Sequence, residues 1–272
     1  MSAVAVSPWA ARRERAAELR ATHPFADELL ALYLALLPVQ EDAWRRAGED
    51  RPPADELARW ATAAIVPAVV EATAAAGPGT LADAVVGRRA EPALAGWLAG
   101  AELDPVDRYL ARASLGPVLE ALREPAADGE QGRVCPCCGG LPQLSWLAAS
   151  GESLVTGPRS LLCSRCAASW SCSRSVCPAC GESREARLSV FAERFDGPVT
   201  ANGNGDGERE EQPVFPHLRI AGCSTCNRYL IEVDLGHDAR AVPEVDELTA
   251  LPLDLYAADQ VLAKLTPNLM GF

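Results

Sequence analysis

The sequence predicts a multi-domain α+β protein: an N-terminal all-α helical domain, two tandem Cys-pair ribbon modules and a short C-terminal helical tail. Three observations predict it. The first 125 residues are rich in alanine and leucine and hold no cysteine. All ten cysteines fall between positions 135 and 226. Eight of them form four Cys-x-x-Cys pairs that repeat in order. The segments read as a helical domain at 1–125, a linker at 126–133, a first ribbon at 134–176, a second at 177–242 and a tail at 243–272.

The chain has 272 residues, 49% of them apolar, which suffices for a sizeable core and argues against wholesale disorder. In the first half, alanine and leucine favour helix, and prolines fall where helices start and stop. Helices are expected over Trp9–Thr22, from Phe25 to about Arg46, over Asp55–Ala76 with a break at Pro67, and over Pro105–Leu122 with Asp104 as N-cap. Leu29, Leu30, Tyr33, Leu36 and Leu37 recur at helical spacing and face a core. This half reads as a bundle without chemistry of its own, and His23 reads as a helix-end residue.

Residues 124–132 are rich in breakers and charge, as a linker requires. Beyond them, Trp146, Leu154, Val155, Leu161, Trp170, Val190 and Phe191 fit short strands between turns. Residues 196–213 are glycine, asparagine and acid, which reads as a flexible surface loop. Glu244–Leu251 and Leu253–Leu265 read as helical segments that pack on the rest of the protein.

Charge narrows the function classes. The net charge is −12, distributed as −7 over residues 1–131, +3 over 132–195 and −8 over 196–272. So acidic a chain is a poor non-specific partner for nucleic acid or an anionic membrane. The longest apolar run, Leu29–Val39, has 11 residues, against the roughly 20 that a spanning helix needs. No charge precedes Arg12 and no secretory pattern is present, so a cytoplasmic location is expected, without membrane insertion. The cysteines are then thiols or metal ligands rather than disulfides.

The four pairs are Cys135/Cys138, Cys163/Cys166, Cys177/Cys180 and Cys223/Cys226. Two thiolates three residues apart on a tight turn can face one ion at ~2.3 Å. Gly139 and Gly181 follow the second cysteine of two pairs, where the turn calls for positive φ. An internal repeat sets the pairing. Cys135-Pro-Cys-Cys-Gly139 parallels Cys177-Pro-Ala-Cys-Gly181, and Cys163-Ser-Arg-Cys166 parallels Cys223-Ser-Thr-Cys226. The gaps between pairs are 24 and 42 residues, and removing the 18 residues of 196–213 makes them equal. One site is therefore Cys135, Cys138, Cys163 and Cys166; the other is Cys177, Cys180, Cys223 and Cys226. Both predict a tetrahedral four-thiolate centre for iron or zinc, which the spacing does not distinguish. Arg133, Arg165, Arg174 and Arg228 flank the pairs and offset the thiolate charge. Cys137 and Cys172 read as bystanders, and His217 and His237 as loop residues rather than ligands. No Ser/His/Asp arrangement, phosphate-binding glycine loop or distinctive carboxylate pair points to catalysis.

These residues resemble the formate dehydrogenase accessory protein family, FdhE. The resemblance rests on the four ordered pairs, on Trp170 and Arg174 after the second, and on Tyr229-Leu230 after the fourth. It continues through Ala241-Val-Pro-Glu-Val-Asp-Glu-Leu248 and Leu253-Asp254 to Pro267-Asn268. The N-terminal half is similar more loosely, through Arg13, Leu19, His23-Pro24 and Val39-Gln40. The resemblance implies rubredoxin-like or zinc-ribbon modules with the eight named cysteines as ligands. It implies a non-enzymatic role in maturing a respiratory molybdenum- or tungsten-dependent formate dehydrogenase, by binding its catalytic subunit in the cytoplasm. The insertion at 196–213, Cys137 and Cys172 depart from the family pattern. Two other readings are a rubredoxin-like iron electron carrier or redox sensor, and a nucleic-acid-binding zinc ribbon. The negative charge disfavours the second.

Overall fold

A computed structural model describes residues 8–124, 132–149, 157–193 and 214–272. The predicted strand residues Leu154 and Val155, the loop 196–213 and most of the linker lie outside these residues.

Among the described residues, seven α-helices occupy the first half: α1 (Pro8–Thr22), α2 (Asp27–Asp50), α3 (Leu57–Ala64), α4 (Val66–Ala76), α5 (Gly79–Val85), α6 (Ala90–Leu98) and α7 (Pro105–Leu122). The predicted helix over Asp55–Ala76 divides at Ile65, with Pro67 in the first turn of α4, where a missing N–H is tolerated. Asp104 caps α7 by accepting from the Val106 and Asp107 N–H groups. The second helix extends past the expected end to Asp50, where Arg51 closes it at φ 42°. Helices α5 and α6 escaped the sequence reading because they are only 7 and 9 residues long, too short to show a period.

Long helices α2 and α7 form the centre of the bundle. Leu32 and Leu36 of α2 pack with Leu110, Leu115 and Val118 of α7 in one core, and each leucine so buried contributes ~1.5–3 kcal/mol. Pro117 inside α7 cannot donate to the Ala113 carbonyl four residues earlier. Gln40 of α2 donates to that carbonyl instead, at 3.3 Å. The same helix pair is therefore joined by packing and by repair of a broken backbone bond.

The described residues of the second half form seven strands: β1 (Pro142–Leu147), β2 (Arg159–Cys163), β3 (Ser169–Ser171), β4 (Leu188–Ala192), β5 (Leu218–Cys223), β6 (Arg228–Asp234) and β7 (Ala263–Lys264). The order β3-β2-β1-β6-β5-β4 is one sheet, with β7 against β6. Each ribbon repeats one plan: a Cys-Pro turn, two antiparallel strands, a Cys-Ser turn and a third strand. The ribbons join where β1 pairs parallel to β6, through Ser145↔Glu232, Trp146↔Val233 and Leu147↔Asp234.

After β6 come α8 (Pro243–Asp246), a 3-10 turn (Glu247–Thr249) and α9 (Leu251–Asp259). The expected helix over Leu253–Leu265 stops at Asp259, and residues 263–264 become β7. Val245 and Leu248 pack among Trp9, Leu19, Tyr33 and Leu37, so the tail reaches back onto α1 and α2. Among the described residues no single helix is long and apolar enough to cross a membrane.

Candidate metal centre

The eight predicted ligands lie in two clusters, as the repeat paired them: Cys135, Cys138, Cys163 and Cys166 in one, Cys177, Cys180, Cys223 and Cys226 in the other. Each cluster has its four sulfurs within 4.8 Å of one another. The Sγ–Sγ distances are 3.6 Å for Cys135–Cys166 and 3.4 Å for Cys138–Cys163. They are 3.8 Å for both Cys177–Cys226 and Cys180–Cys223. Four sulfurs ~2.3 Å from one ion in tetrahedral array stand ~3.8 Å apart. The donor set and spacing fit a soft or borderline ion, and they are far too long for disulfides.

Local backbone chemistry makes these clusters. In both Cys-Pro turns the first cysteine accepts from the glycine after the second: Gly139 N–H to Cys135 O at 2.8 Å, and Gly181 N–H to Cys177 O at 2.9 Å. Each first cysteine donates onward, Cys135 to Gly140 O and Cys177 to Glu182 O, both at 2.8 Å. Gly139 and Gly181 have φ of 69° and 83°, as the sequence predicts. The two Cys-Ser turns use the same left-handed position with other residues, Ala167 at φ 52° and Asn227 at φ 53°.

Crowding four thiols together perturbs their ionisation. Hydrogen bonds from Cys138, Cys163 and Cys166 hold the Cys135 thiol far below its ordinary value. Bonding with Cys135 pushes Cys138 upward, but Cys163 and Cys166 outweigh it and bring Cys138 to about 7. Cys163 and Cys166 are driven upward, chiefly by the bond each makes with Cys135. In the second cluster, burial pushes Cys177 up and Cys226 up to about 12. For Cys223 burial acts upward too, but the Cys226 and Thr225 N–H groups prevail and its thiol falls. Without a cation, one thiolate forms at its neighbours' expense; a bound ion is what lets all four ionise together.

The surroundings of the clusters differ. Cys135, Cys163 and Cys166 are buried with Leu161, Ala168, Trp170 and Leu230, and Leu119 of α7 packs against them. Arg123 donates to Cys166 O at 3.2 Å. Arg165 donates to the Trp97 and Leu98 carbonyls at the end of α6, at 3.2 and 2.9 Å, with its guanidinium 4.9 Å from the Trp97 ring. In the second cluster Cys180 is exposed and Cys226 half-buried. Its turns are tied within the ribbon, by Ser224 N–H to Arg187 O and the Thr225 hydroxyl to Glu182, and across it by Arg133 to Ala179 O.

Neither extra cysteine joins a four-sulfur cluster. The Cys137 thiol donates to Glu124 O at 3.2 Å, and Cys172 is buried with its thiol raised by that burial. His237 lies in a turn after β6, as a loop residue should. His217 is buried, with Nε2 2.7 Å from Asp246.

Sequence reasoning missed the polar junction beneath the ribbons. Buried Asp246 accepts from Arg15 of α1 and from the Val242 N–H, and pairs with His217. Arg12 bridges Glu120 of α7 and Glu244 of the tail. Buried Glu247 meets Lys264 at 2.9 Å and Gln143 of β1, and Gln143 accepts from Arg112 of α7. Burial lowers the Arg112 guanidinium to about 10 and raises the Glu247 carboxyl. In the sequence this junction is marked only by the Val245-Asp-Glu-Leu248 segment.

A helical domain seated on a fused pair of four-cysteine ribbons defines a class: helix-backed double metal-ribbon proteins. No protein-family model matches the chain. It is similar to the protein FdhE homolog of Pseudomonas aeruginosa, 29% identical over 300 residues, covering 96% of this chain and 89% of that protein. It is similar to the FdhE homolog of Aquifex aeolicus, 28% identical over 138 residues, a match that spans 51% of this chain and 41% of that relative. The crystal structure of the FdhE protein from Pseudomonas aeruginosa has the same fold, with TM-score 0.65 and 24% identity over 97% of this chain and 96% of that one. The chain is thus similar to FdhE proteins along nearly its whole length and shares their fold.

Proposed function

We propose that the protein is a non-catalytic accessory factor that matures a molybdenum- or tungsten-dependent formate dehydrogenase, binding its catalytic subunit in the cytoplasm. The observation that carries this reading is a likeness to FdhE along nearly the whole chain, with eight cysteines gathered into two four-sulfur clusters. Cys135, Cys138, Cys163 and Cys166 hold one ion, and Cys177, Cys180, Cys223 and Cys226 hold the other. Bound there, iron or zinc fixes the loops, and iron would add one-electron chemistry. The chain's own residues supply the thiolates and the N–H groups that steady them, such as Arg165 N–H to Cys163 Sγ at 3.3 Å.

The test is an anaerobic pull-down from the protein's own cells, read by mass spectrometry. A formate dehydrogenase catalytic subunit should be enriched, and lost when Cys135 and Cys177 become serine. Its absence among the partners would favour the electron-carrier reading. Metal analysis separates the ions: a red, redox-active protein holds iron, and a colourless one with equal stoichiometry holds zinc.

A further inference from the structure

We propose that the two four-cysteine sites do different work: the first is locked into the fold, and the second exchanges thiophilic divalent ions with its surroundings through Cys180 and Cys226. This rests on the reading that both clusters bind metal. Three observations carry it.

The first is exposure within otherwise matching geometry. The sulfur spacings differ by only a few tenths of an ångström between clusters, and both Cys-Pro turns use the same hydrogen bonds. In the first cluster three of four cysteines are buried and the fourth is half-buried; in the second Cys180 is open to solvent and Cys226 is half-buried. A competing ligand must reach a metal-bound sulfur or an opened coordination position, and the second cluster offers that approach on its Cys180 side.

The second is anchoring. The Cys163–Cys166 turn is held by two helices at once, α6 through Arg165 and α7 through Arg123. A Cβ on the adjacent Gly140 would stand 3.0 Å from Cys163 Sγ and 3.0 Å from the Arg165 stem, so the chain there is packed to contact. The Cys223–Cys226 turn is tied by Ser224 and Thr225 to neighbouring residues of its own ribbon, and by Asn227 O, just after it, to the Ala263 N–H of the two-residue strand β7. Opening it requires no displacement of a helix.

The third is the hydrophobic cover. Cys135, Cys163 and Cys166 are part of an apolar cluster that reaches α7 and β6, whereas Cys180 and Cys226 belong to no buried cluster among the described residues. Local opening is most frequent where buried apolar contacts are fewest, so an ion held by the second cluster is released by small fluctuations and one held by the first is not.

The test uses the full chain loaded with two equivalents of zinc and transferred into excess 4-(2-pyridylazo)resorcinol. Release should be biphasic, one equivalent in each phase, with the fast phase about tenfold or more quicker. Cys180→Ser should abolish the fast phase and leave a folded protein with one slow equivalent. Brief alkylation with N-ethylmaleimide, mapped by peptide mass, should mark Cys180 and Cys226 before any cysteine of the first cluster. Two ions lost at one common rate, or a fast phase that survives Cys180→Ser, would overturn the inequivalence and leave the two-metal reading intact. A chain that cannot be loaded beyond one ion would overturn both.

Discussion

Four left-handed residues close the four Cys turns, and two of them are not glycine. Ala167 at φ 52° bears the steric penalty of its Cβ, ~1 kcal/mol or more. Ala167→Gly should therefore stabilise the metal-loaded protein by ~0.5–1 kcal/mol, read from the urea midpoint; an unchanged or lower midpoint would mean the turn bears no strain. His23 gives a pH signature. Its ring stacks 5.3 Å from Phe215, and burial, aided by the charge of His217, holds its imidazole below the ordinary value. The unfolded chain then takes up a proton that the folded chain resists. Stability from this residue is complete above ~6.5 and falls as pH drops through that value toward the lower folded one. Across that window, urea midpoints of His23→Asn should fall less steeply than those of wild type, and parallel curves would refute the assignment. Much at this level was legible beforehand. The cysteine pairing followed from the repeat alone, and Gly139 and Gly181 announced their φ. Ala167 and Asn227 did not, because nothing in either side chain requires a left-handed backbone.

Short elements position the metal turns, and they were the hardest to read. Helix α6 has only 9 residues, yet its last carbonyls receive Arg165, and a cation at a helix C-terminus is favoured by the dipole. Arg165→Ala should cost about 1–2 kcal/mol in thermal or urea unfolding through the lost charged hydrogen bonds, and it should hasten the slower zinc phase more than the faster. An effect confined to the fast phase would contradict the anchoring described above. Strand β7 is shorter still, at two residues. The periodic pattern of Leu253–Leu265 concealed it, since the helix ends at Asp259 and Lys264 turns inward to Glu247 and Asp254. The long helices were legible because α2 and α7 show many turns of period; the ion pairs that hold the short ones leave no periodic trace.

Cysteine spacing divides the second half into two successive metal loops, whereas backbone hydrogen bonds run through both as one sheet, across β1 and β6. Beneath that sheet the tail, the bundle and the ribbons meet at buried charges. Removing one member of such a group leaves its partners desolvated and uncompensated. Asp246→Ala leaves buried His217 without its carboxylate and Arg15 with only Glu18 and Asp238, and should cost ~3–5 kcal/mol in denaturant unfolding. Loss of less than about 1 kcal/mol would mean that water replaces the carboxylate, and the junction would not be the clamp its geometry indicates. This junction was invisible to pattern reading because its members are far apart in sequence: Arg12 and Glu244 are 232 residues apart, and Arg15 and Asp246 are 231.

That separation has a consequence for how the protein is made. Arg12 and Arg15 leave the ribosome with the first helix, and their partners in the tail follow 231 or 232 residues later. At bacterial-like elongation rates of ~5–20 residues per second the delay is on the order of 10–50 s. Until the tail arrives, the bundle offers Arg12 only Glu120 and Arg15 only Glu18, and the apolar face around Trp9 and Tyr33 lacks Val245 and Leu248. Metal can meet the ribbon cysteines during that interval, before the tail arrives to seal the seam, so the nascent chain passes through a state in which its thiols are made and its last wall is not.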